Sequence, residues 1–257
     1  MTSQHTPKER TKETDFRLRG TEVTRVEAFS DVVFGFALTL LVVSLEVPHT
    51  FNQLLAAMSG FVPFAVSFTI LAQVWWVHHN FFRRYGLQDG ATILLNLILL
   101  FVILFYVYPL KFLFSFMFEE ALGQNGITLP NGQIEPFIAP SQGPLLMIIY
   151  GLGYATVFFI FTLLYVHALR KQNDLELSRT EVYDTQTSIL ENAMMAAIGL
   201  FSAALAASLP ASKAGLAGFA FFLIAVGRSI IGARRGEGRR KLAASLTTAP
   251  AAEDLDS

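Results

Sequence analysis

Residues Arg25 to Pro48 read RVEAFSDVVFGFALTLLVVSLEVP, an apolar run of membrane-spanning length that carries Glu27, Ser30 and Asp31 in its first two helical turns. A charge taken out of water costs several kcal/mol unless it is paired or hydrated. Thr24-Arg25-Val26-Glu27 has the spacing of a capping box, which places the helix start at the membrane surface. Glu27 then has an ordinary task, satisfying first-turn amides and complementing the helix dipole. Asp31 lies roughly 10 Å further along the axis and needs a partner. Arg25 is six positions away, about 240° around the same helix, so the partner is expected from another helix or another subunit.

The rest of the 257 residues support a membrane setting. Hydrophobic residues make up 53% of the chain and charged residues only 15%, which is far from a soluble composition. Nineteen bases against twenty acids leave no basic surface for nucleic acid, and the absence of cysteine excludes disulfides, thiolate metal sites and a cysteine nucleophile. Six stretches reach the length of about 20 residues that a bilayer core requires, at 25–47, 54–81, 90–117, 144–169, 185–208 and 212–232. The expected fold is therefore all-α and polytopic, with a polar tail over 1–20, a six-helix membrane domain over 21–233 and a basic, then disordered, tail over 234–257. A β-barrel is disfavoured, because the runs do not alternate with period two.

Charge orients these spans. All the bases except Lys111 and Lys213 fall in the N-terminal segment, the second-to-third and fourth-to-fifth loops, or the C-terminal segment. That bias predicts a multi-pass protein of the cell membrane with both termini cytoplasmic. The loop from Glu119 to Gly143 contains no Lys or Arg and reads as external. Glu46, near the external end of the first helix, is either a solvated interface residue or a mouth charge that attracts cations.

The second helix ends in QVWWVHHNFFRR and runs back antiparallel, which returns His78 and His79 to the depth of Asp31. These histidines read either as an interfacial pair beside the aromatic belt of Trp75 and Trp76 or as partners of Asp31. Adjacent histidines point about 100° apart on a helix and cannot both approach a haem iron from opposite faces. Further along the first helix, Phe36, Leu40, Val43 and Val47 recur at helical spacing with Thr39 beside them. That face suits ordinary helix packing or the lining of an axis.

Arg25, Phe29, Ser30 and Asp31 form R-x-x-x-F-S-D, followed by ALTLLV and a closing Pro48. With WWVHHNFF in the second helix and six spans in about 250 residues, the chain resembles the prokaryotic branch of the endosomal and lysosomal potassium channel family, transmembrane protein 175. The resemblance implies a homotetrameric potassium-selective or weakly selective cation channel without the usual potassium-channel filter. The first helix, 24–47, would line its pore, with a constriction at Phe36, Leu40 and Val43 and a polar layer at Thr39. Arg25, Ser30, Asp31, His78 and His79 would form the interhelix polar cluster, with His78 the expected partner of Asp31. No cofactor and no bound metal are implied beyond permeant potassium, and the partners are the lipid bilayer and further copies of the chain. The family usually has Ile or Leu where this chain has Phe36 and Gly where it has Val32, so a closed-leaning, low-conductance pore is expected.

A proton-coupled secondary transporter using Asp31 with His78 or His79 is the competing reading. Transporter helices are often broken near the midplane, whereas the first helix has only Gly35 within it and Pro48 at its end. YGLGYAT at Tyr150 to Thr156 lacks the order of a potassium filter, so Gly151 and Gly153 read as close-packing residues. GARRGEGRRK lacks the strand and the Lys-Ser/Thr pair of a phosphate loop and reads as an orienting segment at anionic lipid. No hydrolase or metalloprotease motif is present, and no enzymatic activity is expected.

Overall fold

The computed structural model describes residues 16–43, 49–124 and 126–248. Among these, seven α-helices follow one another: α1 (Arg25–Val43), α2 (Phe51–Ser59), α3 (Phe61–Tyr85), α4 (Gly90–Ala121), α5 (Gly143–Arg170), α6 (Arg179–Ser208) and α7 (Leu223–Thr248). Two-residue strands β1 (Ile127–Thr128) and β2 (Ile134–Glu135) pair antiparallel between α4 and α5, with Ile127 opposite Glu135. Five segments are long and apolar enough to cross a membrane: α3, α4, α5, α6 and Ala211–Leu246. The sixth expected span, 25–47, is described only in part, as α1, and is not among the five. Glu46, Val47 and Pro48 lie outside the described residues, as do 1–15 of the polar tail and the chain past 248.

Three boundaries differ from those expected. The second span divides at Gly60 into α2 and α3. Pro63 has no N–H to donate back to Ser59, so a new helix starts there with proline in its first turn. Ahead of α7, Ala211–Phe222 winds as a 3-10 helix. Ala214, Ala217 and Ala220 recur every third residue and are all buried, which suits a helix of three residues per turn. The buried Ser202 hydroxyl of α6 donates to the Ala217 carbonyl at 2.9 Å and fixes that stripe in place. Finally, α7 continues past Lys241 to Thr248, where the sequence suggested a disordered tail. Contacts to α6 stabilise its basic turns: Arg239 Nε donates to Asp184 at 2.8 Å and the Arg235 guanidinium sits 4.0 Å from the Tyr183 ring centroid.

The tightest packing joins α5 and α6. A Cβ on Gly151 would fall 2.7 Å from the Gly199 carbonyl oxygen, and one on Gly199 would fall 2.7 Å from that of Gly151. Small residues at both positions, with Ala155 and Ala203 four residues on, let the two backbones touch.

An aromatic cluster closes the end of the molecule where α3 stops. Phe81 packs on Tyr85 and edge-on against Tyr165, at 5.1 and 5.2 Å between ring centroids. Phe16, from the expected polar tail, is buried edge-on against Tyr85 at 5.6 Å, with the Arg84 guanidinium 5.3 Å from its centroid. The amides of Arg19 and Gly20 donate to the Arg83 carbonyl. Gly86 ends α3 in the left-handed conformation, φ 59°, which a side chain adopts only with strain. The residues leading into α1 are thus seated on the end of α3.

Candidate functional site

The helix α1 has two unlike faces. Phe34, Ala37 and Leu41 are buried against the core, whereas Phe29, Val32, Phe36 and Val42 are 52%, 70%, 57% and 45% exposed. Thr39 is exposed on the same side, its hydroxyl donating to the Phe36 carbonyl at 2.7 Å. Leu40 is half-buried and packs against the core, so the open face turns toward Val32 and Thr39 and leaves Leu40 on its flank. The side chain of Val43 lies outside the described residues. An apolar stripe at i, i+3 and i+7 from Phe29, continued by Thr39 at i+10, is left without a partner among the described residues.

Polar groups hold the opposite face. Thr24 accepts from the Glu27 amide at 3.1 Å, but the Glu27 carboxylate turns inward, buried, to within 3.7 Å of His79 Nδ1. Of the expected capping box only the Thr24 half is formed, and the Glu27 carboxylate is turned to His79. One turn on, the Ser30 hydroxyl donates to the Val26 carbonyl at 2.7 Å and accepts from Asn96 Nδ2 at 2.9 Å. The Asn96 carbonyl then accepts from His78 Nε2 at 2.8 Å. These directions place the His78 proton on Nε2 and leave its buried Nδ1 without a partner among the described residues. Ser30, Asn96 and His78 are all fully buried, so this chain of bonds ties α1 to α3 through α4.

Asp31 is not bonded to His78 within the chain. It accepts from the Trp75 indole N–H at 2.8 Å, on the exposed side of α1, while the Trp75 ring stacks on His79 at 5.3 Å. A one-residue step rotates a helix by about 100°, so Ser30 and Asp31 face different neighbours. Arg25 is exposed and makes no ion pair among the described residues. The structure thus brings Ser30 to His78 through Asn96, and Asp31 and Glu27 to the Trp75–His79 pair, and it leaves Arg25 outside both groups.

Two anchors in this region were not read from the sequence. Asn96 is a lone amide in the apolar run ATILLNLILLF, and an isolated polar residue within a span is itself a signal. Lys111 Nζ of α4 donates to the Leu41 carbonyl at 2.8 Å and meets the negative end of α1.

The end of the molecule near Arg83 carries two further charge clusters. Glu181 accepts from the Arg17 amide and, at 3.0 Å, from both terminal nitrogens of Arg19, with Arg19 and Glu181 side chains only 10% and 5% exposed. It also closes a capping box with Ser178 at the start of α6. Asp89 caps α4 through the Ala91 and Thr92 amides and accepts from His167 Nε2 at 3.0 Å, with Lys171 at 3.4 Å. Burial alone would raise the Asp89 carboxyl, but the His167 hydrogen bond, the Thr92 amide and Lys171 outweigh it and hold it well below the usual carboxylate range. A depressed carboxylate contributes stability above its ordinary value of 3.8 and loses it as pH falls below that value. Asp89→Ala is accordingly expected to cost about 1–2 kcal/mol at neutral pH, cap and charge together. Melting temperatures from pH 7 down into the acid range should show the gap between wild type and variant constant above about pH 4 and beginning to narrow below it. Asp89→Asn, which keeps the cap acceptor, should lie between them.

Among the described residues, no three His, Asp or Glu side chains converge to hold a metal ion.

Comparison with known proteins gives one family. The model of the family described as endosomal/lysosomal potassium channel TMEM175 matches residues 25–106, the stretch that holds α1, α3 and the Asn96 link. A Marivirga tractuosa protein named a potassium channel is 44% identical over 188 residues, which cover 73% of this chain and 76% of that protein. A crystal structure of a variant of the potassium channel MtTMEM175, bound to a nanobody–MBP fusion, superposes with a TM-score of 0.75 at 38% identity, covering 87% of this chain and 97% of that one. A TMEM175 homologue from Chamaesiphon minutus shares the fold at 22% identity, with a TM-score of 0.52 over 82% of this chain and 96% of that one. With the span pattern, the F-S-D helix and relatives matched over most of their length, this chain belongs to the endosomal/lysosomal potassium channel TMEM175 family.

Proposed function

We propose that this protein is a potassium-conducting channel of the cell membrane, assembled as a homotetramer with α1 of each copy around a central pore. The observation that carries this reading is the two-faced α1: buried and hydrogen-bonded on one side, open and apolar along Phe29, Val32 and Phe36 on the other. An exposed apolar stripe of this size needs a partner, and symmetric copies supply one without a further protein. The α1 helix is then the sixth span, its Asp31 and Arg25 facing neighbouring copies or water. Both termini lie on the cytoplasmic side with the bases. Phe36 forms the constriction, with Thr39 as the polar layer beyond it; Leu40 supports the ring from the flank and Val43 continues the stripe by spacing. The Ser30–Asn96–His78 chain keeps α1 from rotating, and Asp31 with Trp75 and His79 sits where copies meet.

The test is potassium efflux from liposomes holding the purified chain. A potassium gradient alone should drive efflux that grows with voltage. Flux that appears only with a proton gradient would overturn the channel reading in favour of a proton-coupled transporter using Asp31 and His78 or His79. The commitment of His78 Nε2 to Asn96 speaks against such a relay.

A further inference from the structure

The far end of α4 and the segment around β1 and β2 border an open cleft of about 460 Å³ that the proposed pore does not use. Three phenylalanines wall it. Phe112 and Phe116 lie parallel, with ring centroids 6.5 Å apart and planes at 10°, and Phe137 meets Phe116 at 6.4 Å and 70°. Ser115, Glu119 and Gln124 supply its polar lining, and Ile127 of β1 lines it as well. The volume suits a small organic ligand rather than a bare ion.

The charge in this cleft has one sign. Glu119 lines it, and no Lys or Arg occurs in the sequence from Glu119 to Gly143. Lys111, which precedes Phe112 in the sequence, directs its ammonium at the Leu41 carbonyl of α1. Ring faces are negative at their centres and attract ammonium groups within about 6 Å. A carboxylate beside three such rings selects a cation that has an apolar body.

Its level in the membrane also follows from α4. Thirty-two residues make a helix about 48 Å long, against a hydrocarbon core of about 30 Å. With Asp89 and Gly90 at the surface that carries Arg83 and Arg84, the turns holding Phe116 and Glu119 project past the hydrocarbon on the opposite side.

We infer that this cleft binds a soluble organic ammonium ion from the external solution, its cationic head among Phe112, Phe116 and Phe137 and against Glu119. The sidedness rests on the orientation proposed above; the binding does not require conduction, so its failure leaves the channel reading intact.

The experiment is calorimetric titration of the full chain in neutral maltoside micelles with benzyltrimethylammonium chloride, and with benzyl alcohol and potassium chloride as controls. Saturable binding of one ion per chain is expected, with neither control competing. Glu119→Gln should weaken it about tenfold, and Phe116→Leu, which keeps apolar volume but removes the ring, several-fold. Both variants are first checked for wild-type helicity and elution volume. Absence of saturable binding to the wild type, or binding undiminished in folded Glu119→Gln, would overturn the assignment, the latter outcome placing the cation elsewhere. Displacement by dihexanoylphosphatidylcholine well below the concentration at which choline displaces would assign the cleft to a lipid headgroup and overturn the aqueous ligand.

Discussion

Replacing Phe36 with Ala raises potassium flux through the reconstituted protein about tenfold or more, which corresponds to removing about 1.4 kcal/mol from the conduction barrier. Phe36 is 57% exposed on the open face of α1, so its ring packs little within the described chain. Four such rings at one level would narrow the pore and expel water from it, and a dewetted constriction blocks ions without any charge. Alanine widens the ring and lets water persist. The proper control is two residues away. Phe34 is 2% exposed and lies 5.4 Å from the His78 ring, so Phe34→Ala should cost about 3–5 kcal/mol of stability without opening the constriction. Unchanged flux in a folded Phe36→Ala protein would remove Phe36 from the constriction.

The second large effect is at Glu181. Its carboxylate receives the Arg17 amide, both terminal nitrogens of Arg19 and the Ser178 amide, and it is almost fully buried. Glu181→Ala leaves the Arg19 guanidinium buried without its counter-charge, which costs about 3–5 kcal/mol. Pairing the change with Arg19→Ala should recover part of the loss, because an unpaired buried charge is worse than none. Since residues 16–20 lead into α1, the single variant should also loosen the start of that helix. Thermal melts of the two single variants and the double variant measure the coupling; a double variant no more stable than Glu181→Ala would contradict the buried-pair account.

Five of the expected spans were legible because long apolar runs in a membrane leave little choice but helices. Their breaks were less so. Pro63 tolerates a helix start as readily as it ends one, and apolar content alone reads through Gly60. The 3-10 segment was equally hidden, although the alanines at 214, 217 and 220 already carry its period of three. The docking of residues 16–20 was invisible for another reason: a single phenylalanine in a polar stretch has no periodicity, and Arg19 meets Glu181 across 162 positions. At the candidate site, the residue types near Asp31 could be read from R-x-x-x-F-S-D and WWVHH, but their pairing could not. Whether His78 reaches Asp31 or Asn96 depends on rotations of α1, α3 and α4 of less than one residue step, and only packing fixes those. The Ser178–Glu181 capping box has the S-x-x-E spacing but was not read from the sequence, and its arginine partner leaves no local signal at all.

The claim that α1 lines the pore is tested most directly by thiol accessibility, since the chain has no cysteine to give a background. Single cysteines are introduced at Val32, Phe36 and Thr39 on the open face, and at Phe34, Ala37 and Leu41 on the buried one. Each protein is treated with a water-soluble cationic methanethiosulfonate during potassium flux. The account predicts that Val32→Cys, Phe36→Cys and Thr39→Cys lose flux on treatment while Phe34→Cys, Ala37→Cys and Leu41→Cys do not. Equal modification on both faces, or flux untouched by modification at all three open-face positions, would contradict it.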